Sequence, residues 1–353
     1  MVLIIGGGII GLSIAWRLID IGKKVVVIDK KNLGKEASWA AAGMLSGRLD
    51  LKPSEKKLLP LFERSHYAWP KFAKEIEDKS GKNIGYKKEG TLMVACNSNE
   101  EKKLKNNYKF LKDNNVNISW FSGDEIRKKE PYVSNNVLSG FFSPEDHHVN
   151  NRYILDALIT ILKKKKNCCV IKENTEVKKI ITEKNQVVGV KTKQGTIKTK
   201  EIIVCSGAWT NKIKNVEINE APIRPVKGQM VCLKIPKKTS LLKHILWREN
   251  VYLVPRDNSD LIIGATEEEM RNMVGSEGSD RDTFEFEIST SRQDWTIRVE
   301  KEDKEYTGIT LDPSQSEVLE IVLRPINFED DFCEMKGIDF LNLLICLLLP
   351  HTT

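Results

Sequence analysis

The stretch Gly6-Gly7-Gly8-Ile9-Ile10-Gly11 spells G-x-G-x-x-G, and Asp29 follows eighteen residues beyond Gly11. Glycine at the first position admits a tight turn, at the second it lets backbone approach a pyrophosphate, and at the third it lets a helix pack closely on a strand. A helix opening at this point directs unpaired N–H groups and the positive end of its dipole toward the phosphates. A carboxylate at Asp29 is placed to accept hydrogen bonds from a ribose. The chemistry implied is dinucleotide binding, against the alternative of a merely Gly-rich turn.

The flanking sequence favours the binding unit. Residues 2–5 form a short β-branched apolar run of the kind that makes a buried parallel strand. Ile9, Leu12, Ala15, Trp16 and Ile19 then recur at helical spacing up to Gly22, which suits the position just past a helix. A second apolar strand over 25–28 ends in Asp29. Strand, glycine turn, helix, strand and acid are the parts that a nucleotide needs in that order.

Other reactive residues point away from several functions. Seven cysteines, at 96, 168, 169, 205, 232, 333 and 346, include no C-x-x-C pair and are odd in number, so neither a zinc site nor a disulfide framework is expected. His147 and His148 tempt a metal or general-base assignment, but adjacent positions on a strand point opposite ways, and packing or hydrogen bonding in a loop is the expected role. The formal charge of +7 comes from lysines scattered among Asn and Ile, and the run Lys163 to Lys166 reads as a solvated helix end, so no nucleic-acid partner is expected. No G-x-S-x-G elbow, P-loop or H-E-x-x-H occurs. The apolar N-terminus lacks a basic leader and is cut by glycines, which argues for a core strand over a signal peptide. The run 341–349 is too short to span a bilayer. A reducing, cytoplasmic setting is the expectation, with no metal and no membrane span.

At 353 residues the length suggests about two domains, which need not be contiguous. Residues 58–79 carry apolar side chains near helical spacing with Pro70 inside, 91–95 reads as a strand, 100–114 as a Lys-rich surface helix and 154–162 as another helix. Short strands are expected at 169–171, 177–181, 187–192 and 202–205. The run 34–45 (GKEASWAAAGML) is rich in small residues, which suits either a main chain lying along a flat ring or phosphates, or a tightly packed Ala-rich helix.

The glycine fingerprint, Asp29 and the run 36–45 together resemble the D-amino-acid-oxidase-like family of FAD enzymes, and specifically its glycine oxidase branch. Further runs keep the family order: 85–95 (GYKKEGTLMVA), 146–152 (DHHVNNR), 205–209 (CSGAW), 224–230 (RPVKGQM), 252–256 (YLVPR) and 264–266 (GAT). The resemblance covers about residues 1–270. It implies an α/β fold in which a Rossmann-like FAD-binding domain, 1–84 with 147–215, carries a second, sheet-rich substrate domain, 85–146 with 216–270. It also implies oxidation of glycine or another small amino acid or amine to the imine, releasing glyoxylate and ammonia. By the same resemblance O2 would be the electron acceptor, giving H2O2, and the product would serve thiazole and thiamine biosynthesis. A flavin dehydrogenase of D-amino acids or sarcosine is the first alternative, and a flavin-binding protein without turnover the second. FAD, and neither NAD nor NADP, is the expected redox cofactor.

By the same resemblance Gly6, Gly8, Ile9, Ile10 and Gly11 would meet the pyrophosphate, with Asp29 and Lys30 at the adenosine ribose. Ala37, Ser38, Ala42, Gly43 and Met44 would run along the phosphates and isoalloxazine, and the backbone of Val177 would read the adenine. Tyr252 would stand beside the substrate, and Arg324 would pair with its carboxylate, a task suited to a bidentate guanidinium.

From about Arg271 the family pattern fails. The segment 275–306 is charge-dense with one period-two stretch at 284–288, Val322-Leu-Arg-Pro325 has Val where the family has Gly, and the family's later Gly-His-x-Arg-Asn-Gly run is absent. A shifted frame or truncated copy accounts for this better than a divergent but working C-terminus. Weak FAD retention and slow turnover are then expected, together with homo-oligomeric association through the apolar run 341–349.

Overall fold

The β-branched runs Val2–Ile5 (β1) and Val25–Ile28 (β2) are buried along their whole length and pair in parallel, Val2 opposite Val25, with the helix Ile9–Asp20 (α1) as the crossover. Such strands must be covered on both faces, and their side chains divide by parity. Val2, Ile4, Val25 and Val27 pack with Leu12 and Trp16 of α1, whereas Leu3, Ile5, Val26 and Ile28 face the opposite side. Gly22, at φ +80°, follows the last residues of α1 in the left-handed region that ends helices.

The structure, a computed structural model, describes residues 1–216 without a break, most of 223–269, and strands within 283–307. After β2 come a one-turn helix Ala37–Ala40 (α2) and the long helix Leu59–Ser80 (α3), which carries Pro70 in its interior. Thr91–Ala95 (β3), Ser98–Asp113 (α4), Ser119–Ser122 (β4), Gly123–Lys129 (α5) and Ser139–Ser143 (β5) form the next block. The helix Asn151–Lys164 (α6) and the strands Cys169–Lys172 (β6), Val177–Glu183 (β7), Gln186–Thr192 (β8), Gly195–Lys198 (β9) and Glu201–Val204 (β10) return the chain to the first sheet.

The parallel sheet has the order β10-β1-β2-β6. Helix α6 packs on α1 and α3 over one face, burying Leu158, Ile161, Ala73 and Ile76. The antiparallel meander β7-β8-β9 covers the other through Val177, Ile180 and Val190. A second sheet of seven strands carries β3, β5 and β4 at one side and the strands Ile245–Arg248, Val251–Pro255, Asp260–Gly264 and Met230–Lys234 at the other. It is antiparallel except where Ile245–Arg248 runs parallel to β3. This is an α/β architecture with a doubly covered parallel sheet beside a larger antiparallel one.

The segment 284–288 lies in the strand Thr283–Ser289, paired antiparallel with Asp294–Glu302. Arg324 and the run 341–349 lie outside the described residues.

Candidate functional site

The glycine fingerprint is held by contacts that exclude a side chain. A Cβ on Gly6, whose φ is +110°, would stand 2.2 Å from the Cys205 carbonyl oxygen, and one on Gly11 would stand 1.9 Å from that of Gly6. The third glycine therefore lets α1 settle on the turn that precedes it. A Cβ on Gly8 would meet only the Ser38 hydroxyl, at 2.9 Å. That hydroxyl accepts a hydrogen bond from Ile9 N at 3.0 Å, capping α1 from a distant segment. The next amides, of Ile10 and Gly11, have no acceptor within a helix that begins at Ile9. The Ile10 side chain projects into solvent, and Gly11 is buried in the packing between helix and turn.

Asp29 closes this loop. Its Oδ2 accepts from Gly7 N at 2.7 Å and its Oδ1 from Lys31 N at 2.8 Å. Burial raises its pKa, and the two amide bonds oppose that rise. A cleft of about 230 Å³ opens here, lined by Gly6, Gly8, Asp29, Lys30 and Val177, with Ala37 and Ser38 along its side. The Lys30 ammonium sits 3.7 Å from the centre of the Trp209 ring, a cation–π contact at one end of the cleft. Burial lowers the Lys30 pKa, with Glu36 opposing.

Ser38 also lines a second, larger cavity of about 670 Å³, so the two spaces adjoin along one chain segment. Ile9, Ala42, Gly43 and Met44 form a wall of it. The small-residue run divides in two: α2 takes a single turn, and the chain beyond leaves the helix, with Met44 bridging His148. Close backbone approach decides the matter at Gly43. Its φ is +76°, and a Cβ there would stand 2.1 Å from the Val149 carbonyl oxygen. The Asn151 amide ties α6 to the run by donating to the carbonyls of Ser38 at 3.0 Å and Trp39 at 2.7 Å.

Across the larger cavity stands Tyr252, with Trp247, Trp69 and Phe62 also lining it. The Tyr252 ring is seated against Gly264, where any Cβ would come within 2.5 Å of it. Its hydroxyl lies 3.9 Å from the Met230 sulfur. The cavity is thus mainly aromatic and aliphatic, with a phenol at the wall.

His148 is buried at 2% exposure, and its pKa is pushed down to about 4, first by burial and then by the charge of Arg256. Burial also lowers the pKa of His147. Neither His147 Nδ1 nor His148 Nε2 has a hydrogen-bond partner among the described residues. Among the described residues no group of His, Cys, Asp and Glu could hold a metal ion, and no helix is long and apolar enough to cross a membrane.

The two cavities suit a long dinucleotide that ends in a flat ring. At one end are a helix N-terminus with free amides, a carboxylate and an aromatic face; at the other is an apolar chamber walled by backbone that a Cβ at Gly43 would obstruct. Of the residues singled out from sequence, Gly6, Gly8, Asp29, Lys30, Ala37, Ser38 and Val177 line the first space, and Ile9, Ala42, Gly43, Met44 and Tyr252 the second. Ile10 and Gly11 line neither, and Arg324 lies outside the described residues. Asn151 is a further residue of the site without an assigned role in the sequence pattern above, although the N-N-R run preceding an apolar helical pattern is a visible helix-start signal.

The profile of the family described as FAD dependent oxidoreductase matches residues 1–307. The chain is 32% identical over 275 residues to the bifunctional protein ThiO/ThiG of Trichormus variabilis, covering 76% of this chain and 40% of that protein. It is 30% identical over 267 residues to the glycine oxidase of Geobacillus kaustophilus, covering 75% of this chain and 69% of that one. The crystal structure of glycine oxidase from Bacillus cereus superposes with a TM-score of 0.68 at 30% identity, over 76% of this chain and 71% of that one. The chain thus spans about 40% of the length of the bifunctional relatives it matches.

Proposed function

Because this chain belongs to the FAD dependent oxidoreductase family, we propose that it oxidises glycine or a similarly small amino acid or amine. For glycine the balance is one substrate, one O2 and one water giving glyoxylate, ammonia and H2O2, a supply suited to thiazole and thiamine biosynthesis in a reducing cytoplasm. The observation that carries the proposal is the adjoining pair of cavities, one built on the glycine fingerprint and the other lined in part by Tyr252. The glycine oxidase of Geobacillus kaustophilus, similar over three quarters of this chain, supports it.

In this reading Gly6, Gly8 and the Ile10 and Gly11 amides of α1 hold the pyrophosphate, Asp29 and Lys30 the ribose, and Val177 the adenine edge. Ser38, Ala42, Gly43 and Met44 line the path to the ring. Bound FAD would supply a two-electron acceptor for the substrate's Cα–H bond. Trp69, Trp247 and Phe62 give that bond apolar walls on part of its surroundings. The Tyr252 hydroxyl orients the substrate by donating to its carboxylate, and Arg324 supplies the pairing charge. No protein base is required where the amine binds in its neutral form.

A peroxide-coupled assay of FAD-saturated, monodisperse protein with glycine, sarcosine and D-alanine tests this. Peroxide formed with glycine is the expected result. Reduction of an artificial dye without peroxide would identify a dehydrogenase instead, and bound flavin with neither product would identify a flavin-binding protein without turnover.

A further inference from the structure

Arg256 lies just beyond the strand Val251–Pro255 of the seven-stranded sheet, yet its guanidinium bonds to the wall of the larger cavity. It donates through Nη1 to the Val149 carbonyl and through Nη2 to the Ala42 carbonyl, and Nη2 also reaches Asn151 Oδ1 at 3.0 Å. These acceptors come from three separate segments: the run after α2, the loop before α6, and the first residue of α6. All three residues line the larger cavity, so the guanidinium sits one layer behind its wall.

The same wall is knit by backbone bonds, from Val149 N to Gly43 O at 2.9 Å and from Leu45 N to His147 O at 2.8 Å. The Asn151 side chain, while accepting from Arg256, passes the constraint to the carbonyls of Ser38 and Trp39.

The acceptors of Arg256 are neutral, and among the described residues no carboxylate forms an ion pair with it. Burial lowers its pKa to about 10, which leaves it charged at neutral pH. A cation enclosed with only neutral acceptors is costly, and packing alone would be served better by an apolar side chain. What the guanidinium offers is a planar fork of donors that fixes several acceptors at set spacings, which an ammonium cannot do.

We infer that Arg256 is the positioning residue of the flavin cavity, staking Ala42, Val149 and Asn151 from the neighbouring sheet so that the wall keeps the spacing the ring requires. The flavin part of this inference rests on the proposed function; the ordering of the wall does not.

The test compares wild type with Arg256→Lys and Arg256→Met, first without FAD by hydrogen exchange. The amides of Leu45 and Val149 are expected to exchange about tenfold or more faster in both variants, while those of β1 keep their wild-type rates. With FAD added, both variants are expected to bind it about tenfold or more weakly and to show an altered blue flavin band, Lys failing to rescue despite its charge. Wild-type exchange at Leu45 and Val149 overturns the inference, as does exchange that rises equally in β1, which would make the effect a general loss of stability. Should Arg256→Met not fold, Arg256→Lys carries the same comparison. Wild-type protein that takes up no FAD would count against the proposed function, with the exchange rates still deciding whether Arg256 orders the wall.

Discussion

Asp29 has two tasks for one carboxylate: it receives the Gly7 and Lys31 amides and it lines the nucleotide cleft. Asp29→Ala should therefore weaken FAD binding by about 1 to 3 kcal/mol, through the unpaired ribose hydroxyls and the freed Gly7 amide together. The dissociation constant from flavin fluorescence reads this directly, and unchanged affinity would remove Asp29 from the site. Gly11→Ala separates packing from binding. Its Cβ would strike the Gly6 carbonyl from 1.9 Å, so thermal stability should drop by roughly 1 to 3 kcal/mol. Tyr252→Phe keeps the ring that fills the space beside Gly264 and removes the hydroxyl. The expected result is a KM for glycine raised roughly fivefold with a smaller change in kcat, whereas an unchanged KM with kcat and kcat/KM lowered equally would place the hydroxyl's contact in the transition state instead.

At the scale of elements, the strands and helices readable from sequence were those whose pattern answers to local rules. β1 and β2 are uniform β-branched runs, α1 has an apolar stripe and a Gly stop, and α6 has an amphipathic face. Ser139–Ser143 escaped because Ser-Gly-Phe-Phe-Ser has neither alternation nor an apolar run; its pairing with β3 and β4 makes it a strand. Helix α5 was also missed, although Ser122 and Glu125 form the reciprocal capping box that its sequence announces. The run beyond α2 could not be assigned locally, because its conformation depends on His148, Val149 and Asn151, more than a hundred residues away in sequence. That same segment predicts a pH response. His148 binds its proton at about pH 4 in the fold and near 6.5 when unfolded, so the unfolded chain holds more protons between those values. Its contribution to stability is complete above about pH 6.5 and is lost as the pH falls toward 4, by up to about 3 kcal/mol. Denaturant unfolding at pH 7 and pH 5 should show a steeper loss for wild type than for His148→Gln; parallel losses would show that His148 is not the group responsible.

At the scale of the molecule, the family and the fold class were legible because the fingerprint, its strands and several later runs occur together in order. The ties between the sheets were not. Arg256 meets Ala42 across 214 positions of sequence, and no spacing rule connects an arginine after a strand with an alanine-rich run so far away. The family profile reaches residue 307, past the point near 270 where the individual motifs fade, while Arg324 and the run 341–349 lie beyond it. With those segments off the family pattern, FAD retention is expected to be weak and turnover of glycine slower than roughly 1 per second, near the bottom of the ordinary enzyme range. A steady-state peroxide assay at saturating FAD measures this, and faster turnover would show the C-terminal sequence to be fully competent.

Bringing a small amine to a flavin is the task proposed for this cleft. Its most direct measurement is the visible spectrum of FAD-loaded, monodisperse protein during anaerobic addition of glycine. The blue flavin band is expected to bleach in a saturable manner and to return when air is admitted. A band that persists unchanged at saturating glycine, with FAD shown to remain bound, would contradict it.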